Sequence, residues 1–479
     1  MTFLPDPPLL IQPPDESTSE AHQVFRSRPG HSHKTKGKAP HVVPGVVHPG
    51  STGVLYVTER ATANGFSPGN AEWANFGQGA PETGEIPGIS KRPNTINLDE
   101  LSQEGGADVN EYAPATGVPA LREAVAKMYN ELYRKGKSSQ YTAANVCIVP
   151  GGRAGLTRVT AVIGDVLVNY TVPEYTCYDQ ILSTFKRIVP LPSILHEEDS
   201  YHLSPAKLET QINELGITAL MLSNPHNPTG QVIHGEELKK LVEISRKKEM
   251  TVILDEFYDQ YIYEEGLEQV SAAEFIEDVN SDNIVLIGGL TKGFRLPGWR
   301  VCWVVGPSEL ITAVGQSGGY IDGGASHILQ RAALPLLEPS RVRSDRKALQ
   351  THFLKKRNHV LSRLKEMGFE IKNPPNATFY IWLDLRQLPK PMNSGMVFFE
   401  ECLKEKVIVV PGQFFDVNPS NRRNLLDSPC DKFIRLSFGP PLEQLDRGLD
   451  AIQRVVERVR KAEQEGKDLH QEFGKDLAK

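Results

Sequence analysis

The chain has 479 residues, 39% of them apolar, and a formal charge of −6. That length allows more than one domain and a large core, and the slightly acidic balance speaks against nucleic acid as a main partner. No apolar run nears the roughly 20 residues that cross a bilayer, so no membrane partner is expected either.

The chain starts with MTFLPDPPLLIQPPDESTSE, where prolines and acids interrupt any signal-like or transit-like pattern. Residues 1–50 are rich in Pro, Ser, His and Lys without a sustained period, and they read as a disordered arm. The basic patch RSRPGHSHKTKGK in that arm reads as solvated rather than as a docking element. Five scattered cysteines, with no CxxC pair, argue against a disulfide framework or a zinc site and for a cytoplasmic setting. No segment repeats at a fixed interval, which excludes a solenoid.

VPALREAVAKMYNELYRKG spaces its apolar residues as a helix does and ends on Gly136, a candidate C-cap. Short apolar or β-branched runs follow: NVCIVP, DVLVNY, ITALMLS, MTVILD, NIVLIGG and RVCWVVG. Amphipathic stretches such as EELKKLVEISRKKE separate several of them. Strands alternating with helices predict an α/β fold, a mostly parallel sheet covered by helices. Beyond about residue 335 the pattern becomes a long polar helix, two strands (TFYIWLDL and KFIRLSFG) and a charged terminal helix, which predicts a smaller second domain.

Ligands of open α/β sheets bind at the carboxyl ends of the strands. Here those ends carry GGRAG, PEYTCY, NPHNPTG, DEFYDQY and LTKGF. A partly desolvated lysine, Lys292, is suited to a Schiff base with an aldehyde, and Asp255 is a carboxylate able to keep a pyridine nitrogen protonated. Asp255 also reads as an N-cap after a strand. NPHNPTG reads either as a plain strand-to-helix turn or as a stiffened loop offering the Asn227 amide to a ligand oxygen. Tyr175 reads as a core aromatic or as a ring laid over a flat heterocycle. GGRAG offers backbone N–H groups to a phosphate at a helix N-terminus, although glycine turns are common.

In combination these motifs resemble the class I/II aminotransferases, pyridoxal phosphate enzymes of fold type I, from about Asn75 to Gly439. NEYAPATGVPALREAVA is similar to the segment in which a tyrosine, here Tyr112, crosses to the neighbouring subunit's cofactor phosphate. NPHNPTG and DEFY resemble the segments that place Asn227 and Tyr258 on the cofactor's phenolic oxygen and Asp255 on its pyridine nitrogen. GGLTKGFRLPGWR matches a lysine, four residues, Pro-Gly, one residue, arginine. The resemblance implies that Lys292 is the Schiff-base lysine and that Arg300 grips the phosphate, with Gly152, Arg153, Ala154 and Thr291 also at the cofactor and Tyr175 beside it. It implies further that Arg435 and Gly79 meet the substrate α-carboxylate, and that Lys292, Asp255 and Tyr175 serve catalysis.

The fold implied is a large cofactor-binding domain over 114–334 and a smaller α+β domain over 335–479. Residues 51–113 are expected to contribute to the small domain and to a homodimer interface with shared active sites. The cofactor implied is pyridoxal 5'-phosphate, the partners are amino acids and keto acids, and the reaction is transamination. The same scaffold also hosts C–S lysis and other β- or γ-eliminations, cyclisation and amino-acid oxidation, which stand as the alternative. A non-enzymatic regulator is the third reading, and the retained Lys292 speaks against it.

Two departures stand out. Many members carry a serine three residues before the lysine, and this chain has Gly289. Arg153 is a bulky cation where small or hydroxyl residues are common. No arginine occurs in GGYIDGGAS, where dicarboxylate-specific members would place one; Asp322 lies there and reads as a turn former or as a partner for a cationic substrate side chain.

Overall fold

A computed structural model describes residues 53–185, 187–423 and 428–473. The arm expected over 1–50 lies outside the described residues. Helix α1 (Gly53–Ala63), strand β1 (Ala74–Asn75) and α2 (Leu98–Gly105) come first. Then α3 (Pro119–Tyr133) starts on a proline, which suits a first helical position because its missing N–H has no partner there. It stops short of Gly136. Arg134 is fully buried and turns its guanidinium onto the carbonyls of Ser139, Ala273 and Ile276, so tertiary bonds end this helix and not a glycine cap.

The next elements are β2 (Val146–Val149), α4 (Gly152–Val162), β3 (Val166–Val172), α5 (Tyr178–Thr184) and β4 (Ile188–Ile194). They continue with α6 (Pro205–Leu215), β5 (Ala219–Ser223), α7 (Gly235–Lys248), β6 (Thr251–Asp255), β7 (Ile284–Gly289) and β8 (Cys302–Val305). Their strands make a seven-stranded sheet in the order β2-β8-β7-β6-β5-β3-β4. It is parallel except that β8 runs against both β2 and β7. The inner strands are continuous apolar runs because helices cover both faces, as with β5, every residue of which is buried. Strand β4 escapes the sequence pattern because IVPLPSI holds Pro190 and Pro192. A proline cannot donate to a ladder, and β4 sits at the sheet edge where that costs least.

Chain connections leave β3 outward to β4 and leave β5 inward to β6, so a topological switch point lies between β3 and β5. A crevice opens outside the carboxyl ends of the strands there.

The remaining elements are α8 (Ser308–Ile321), α9 (His327–Ala333), α10 (Pro339–Glu366), β9 (Tyr380–Asp384) and α11 (Gly395–Lys404). They end with β10 (Val407–Ile408), β11 (Val410–Pro411), β12 (Phe433–Ser437), α12 (Leu442–Gln464) and α13 (Leu469–Glu472). Strands β11-β12-β9 form an antiparallel sheet, and β1 pairs with β10, which ties the N-terminal segment to this later region. Helix α12 buries Leu445, Leu449, Ile452, Val455 and Val459 at helical spacing. Each such side chain stabilises by about 1.5–3 kcal/mol relative to exposure. Among the described residues no helix is long and apolar enough to cross a membrane.

Candidate active site

A cavity of about 530 Å³ opens at the carboxyl edge of the large sheet. Gly79, Gly152, Arg153, Tyr175, Asn227, Asp255, Tyr258, Thr291, Lys292, Arg300 and Arg435 all line it. Of the residues singled out from sequence, Ala154 and Tyr112 do not. Ala154 lies in the first turn of α4, and Leu156 reaches the cavity in its place because two residues turn a helix by about 200°. Tyr112 is 94% exposed.

Asp255 ends β6, is 6% exposed and is followed by turns, so the N-cap reading does not hold. Its carboxylate accepts only a long bond, 3.4 Å, from the N–H of Phe257. Burial pushes it up to about 7, and the charge of Glu174 adds to the shift. Lys292 follows β7 and donates to the carbonyl of Gly79. Enclosure of its ammonium, then the charge of Arg435, lower it to about 8 against the opposing charge of Asp255. An amine so placed is a usable base or nucleophile near neutrality.

Arg300 has a left-handed backbone, φ 54°, after a tight turn over Pro297–Trp299. Its guanidinium lies against Gly151, the residue before α4. A Cβ on Gly151 would sit 1.7 Å from Arg300 Nη2, and φ there is +108°, so both the close approach and the backbone require glycine. Arg300, Arg153 and the N-terminus of α4 therefore crowd three positive features at one end of the cavity. Such a set repels itself unless an anion lies between its members, and it suits a phosphate. Arg153 donates from Nε to the Tyr175 hydroxyl at 3.1 Å.

Arg435 holds the opposite end. It is 2% exposed, donates from Nη1 to Asn227 Oδ1 at 2.9 Å and from Nη2 to the Gly77 carbonyl at 3.0 Å. The guanidinium carbon lies 4.1 Å from the Tyr380 ring centroid and 4.9 Å from that of Phe415, a cation–π setting on two rings. Its buried Nε has no partner. With Asn227 Oδ1 occupied by Arg435, the amide nitrogen of Asn227 is the atom left to meet a ligand oxygen. The Tyr258 and Tyr380 hydroxyls share a bond of 2.8 Å.

Gly289 now has a steric reason. It pairs with Cys302 across the antiparallel β7–β8 register, and a Cβ there would lie 2.5 Å from Cys302 Sγ and 2.7 Å from its Cα. A serine has no room. The Thr291 hydroxyl meets the same sulfur at 3.2 Å. The Asp322 carboxylate pairs with the fully buried guanidinium of Arg158, and it does not line this chain's cavity. An otherwise uncompensated buried guanidinium claims that acid.

Sequence reasoning missed Ser223, Phe257 and Tyr380 as lining residues. Ser223 closes a wholly buried strand and carried no signal. Tyr380 sits in a strand recognised as such, but its pairing with Tyr258 spans 122 positions.

A family model for aminotransferase class I and II matches residues 71–452. The aspartate aminotransferase of Thermotoga maritima is 28% identical over 347 residues, covering 71% of this chain and 82% of that protein. A probable aspartate/prephenate aminotransferase of Aquifex aeolicus is 26% identical over 353 residues, covering 73% and 84%. Among solved structures, the Thermus thermophilus aspartate aminotransferase with maleate superposes with a TM-score of 0.70 at 21% identity, over 86% of this chain and 100% of that one.

Proposed function

This chain belongs to the class I and II aminotransferases, enzymes of fold type I that depend on pyridoxal phosphate, and on that premise we propose that it transfers the amino group of an α-amino acid to a keto acid. The observation that carries the reading is the meeting of Lys292, Asp255 and Arg435 in one cavity that Arg300 and Arg153 also line. That donor set fits pyridoxal 5'-phosphate. When bound, the cofactor supplies an aldehyde to take the amino group and an electron-poor ring to accept charge from Cα.

This chain's residues supply the rest. Arg300, Arg153, Thr291 and the N–H groups at Gly152 would hold the phosphate, and Tyr175 would flank the ring. Asp255 would face the ring nitrogen, where a protonated ring would give its poorly bonded, buried carboxylate the positive partner it lacks and so draw its proton affinity back down. Asn227 and Tyr258 would bind the phenolic oxygen. Arg435, with Gly79 beside it, would take the substrate α-carboxylate through a planar fork. Lys292 Nζ would take the proton from Cα; with its proton affinity lowered to about 8, its neutral share grows as pH rises through that value.

We further propose a cofactor-binding unit over residues 114–334 and a smaller unit over 335–479, with residues 51–113 contributing to the smaller unit and to a dimer interface. Exposure of Tyr112 fits a homodimer in which it reaches the neighbouring site. Screening amino acids by the absorbance of the bound cofactor, with products identified by mass, tests the reaction. A band that shifts with an amino acid and returns with a keto acid supports transamination. Release of a thiol, ammonia or peroxide with no keto-acid acceptor added would assign the chain to elimination or oxidation instead.

A further inference from the structure

The switch-point crevice holds a group that the proposed chemistry leaves unused. Glu174 follows β3, is fully buried, and sits beside the cavity without lining it. Oε1 accepts from the Tyr175 N–H at 2.8 Å and the Ser223 hydroxyl at 2.5 Å. Oε2 accepts from the Thr171 hydroxyl at 2.7 Å and the Ser223 N–H at 3.2 Å. His226 Nε2 stands 3.5 Å from Oε2. Each oxygen thus takes one backbone N–H and one hydroxyl. A glutamine cannot replace it without turning its NH2 onto a fixed N–H donor, whichever way the amide is placed. Four filled acceptor sites on a carboxylate with no exposed surface are a costly arrangement, and they hold its neighbours in one geometry.

What they hold leads to Arg435 by two routes. The Ser223 hydroxyl, fixed by Glu174, accepts the N–H of Asn227 at 3.1 Å, and the Asn227 side chain accepts from Arg435. Separately, the Glu174 N–H donates to the carbonyl of Phe415 at 2.9 Å, and the Phe415 ring is one of the two against the Arg435 guanidinium. Phe415 and Arg435 belong to the later region of the chain, whereas Ser223 ends β5 of the large sheet and Glu174 and Asn227 follow β3 and β5. Glu174 is the joint between the two.

We propose that Glu174 is a positioning residue which, through Ser223–Asn227 and through Phe415, sets Arg435 in the orientation that receives the substrate α-carboxylate. This rests on the aminotransferase reading above. The role predicts a split effect: substrate affinity falls while the chemistry at Lys292, which Glu174 does not touch, proceeds.

The test uses the pyridoxal phosphate holoenzyme and the amino acid that best shifts the wild-type cofactor band. Rapid-mixing absorbance gives the dissociation constant of that amino acid and the limiting rate for wild type, Glu174→Gln and Ser223→Ala. Titration of each cofactor-free protein with pyridoxal phosphate gives its cofactor affinity. Glu174→Gln is expected to weaken amino-acid binding about tenfold or more, the scale of a lost hydrogen bond to a charged group, with the limiting rate within about threefold. Ser223→Ala is expected to shift the same constant in the same direction, and cofactor affinity should change less than amino-acid affinity in both. If Glu174→Gln does not fold, Ser223→Ala decides in its place. Variants that lose only thermal stability, with amino-acid affinity within about twofold of wild type, overturn the inference and leave the function standing. A wild-type holoenzyme that converts no amino acid overturns both.

Discussion

Two lysines among the described residues are driven down to about 8 by burial, Lys292 at the cavity and Lys356 on α10, yet only Lys292 has a place in the proposed chemistry. Lys356 donates to Glu82 at 2.7 Å and to the Gly439 carbonyl at 3.0 Å, and His352 adds a second contact to the same Glu82 oxygen at 2.7 Å. Burial pushes Glu82 up, but the bonds and charges of Lys356 and His352 outweigh it and hold the carboxylate below its ordinary range. Around Lys292 the opposite holds. Its hydrogen bond goes to a carbonyl, and Asp255, with one long bond, is pushed up to about 7. A lowered lysine therefore does not by itself mark a site. The mark is a charged pair whose bonding capacity is left open, which stores interaction energy for a ligand.

Breaking each pair separates the two behaviours. Lys292→Ala is expected to lower the turnover rate by about 10⁴-fold or more, the upper range of base catalysis, while the urea midpoint of the cofactor-free protein stays the same or rises because a poorly paired buried ammonium is removed. Lys356→Met reverses that pattern. It leaves Glu82 buried without its cation and should cost about 3–5 kcal/mol in urea unfolding, with the turnover rate of the folded fraction within about threefold.

The acids carry opposite signs of pH dependence. Asp255 binds its proton more tightly folded than unfolded, from an ordinary 3.8 up to about 7. Across that window the folded cofactor-free protein holds the extra proton, so Asp255 lowers stability as pH rises, by at most about 1.4 kcal/mol per pH unit. Glu82, held below its ordinary 4.5, contributes stability above that value and loses it as pH falls through the folded value. Urea unfolding of cofactor-free Asp255→Asn should thus gain on wild type from about pH 4.5 to about pH 7, and a flat difference would contradict the open-pair account. The smallest effect is steric. Gly289→Ser forces a Cβ against Cys302 and should cost about 1–3 kcal/mol in urea unfolding, without tightening phosphate binding.

Much of the cavity was legible because its residues sit in short, stiff motifs. Lys292 and Arg300 share one thirteen-residue stretch whose Pro297 shapes the turn between them, and Asn227 and Asp255 each end or follow an apolar run. Less was legible where long-range packing decides. Strand β4 carried two prolines that only an edge position accepts, and α3 ended at Tyr133 because Arg134 found carbonyls about 140 residues away. Asp322, read as a possible substrate contact, is held by Arg158 from another helix. Glu174 was in plain view in PEYTCY, yet its partners lie in a neighbouring strand and in a turn 241 residues on.

By itself the sequence determined the alternation of strands and helices, the motifs at the strand ends and, through them, the family. Local spacing and turn chemistry suffice for these, because each depends on residues a few positions apart. Only the tertiary structure decided which charges were satisfied. It closed Glu82 on Lys356, gave Arg158 to Asp322, bonded Glu174 to Thr171 and Ser223 and left Lys292 and Asp255 open, because desolvation and pairing depend on what packs nearby in space.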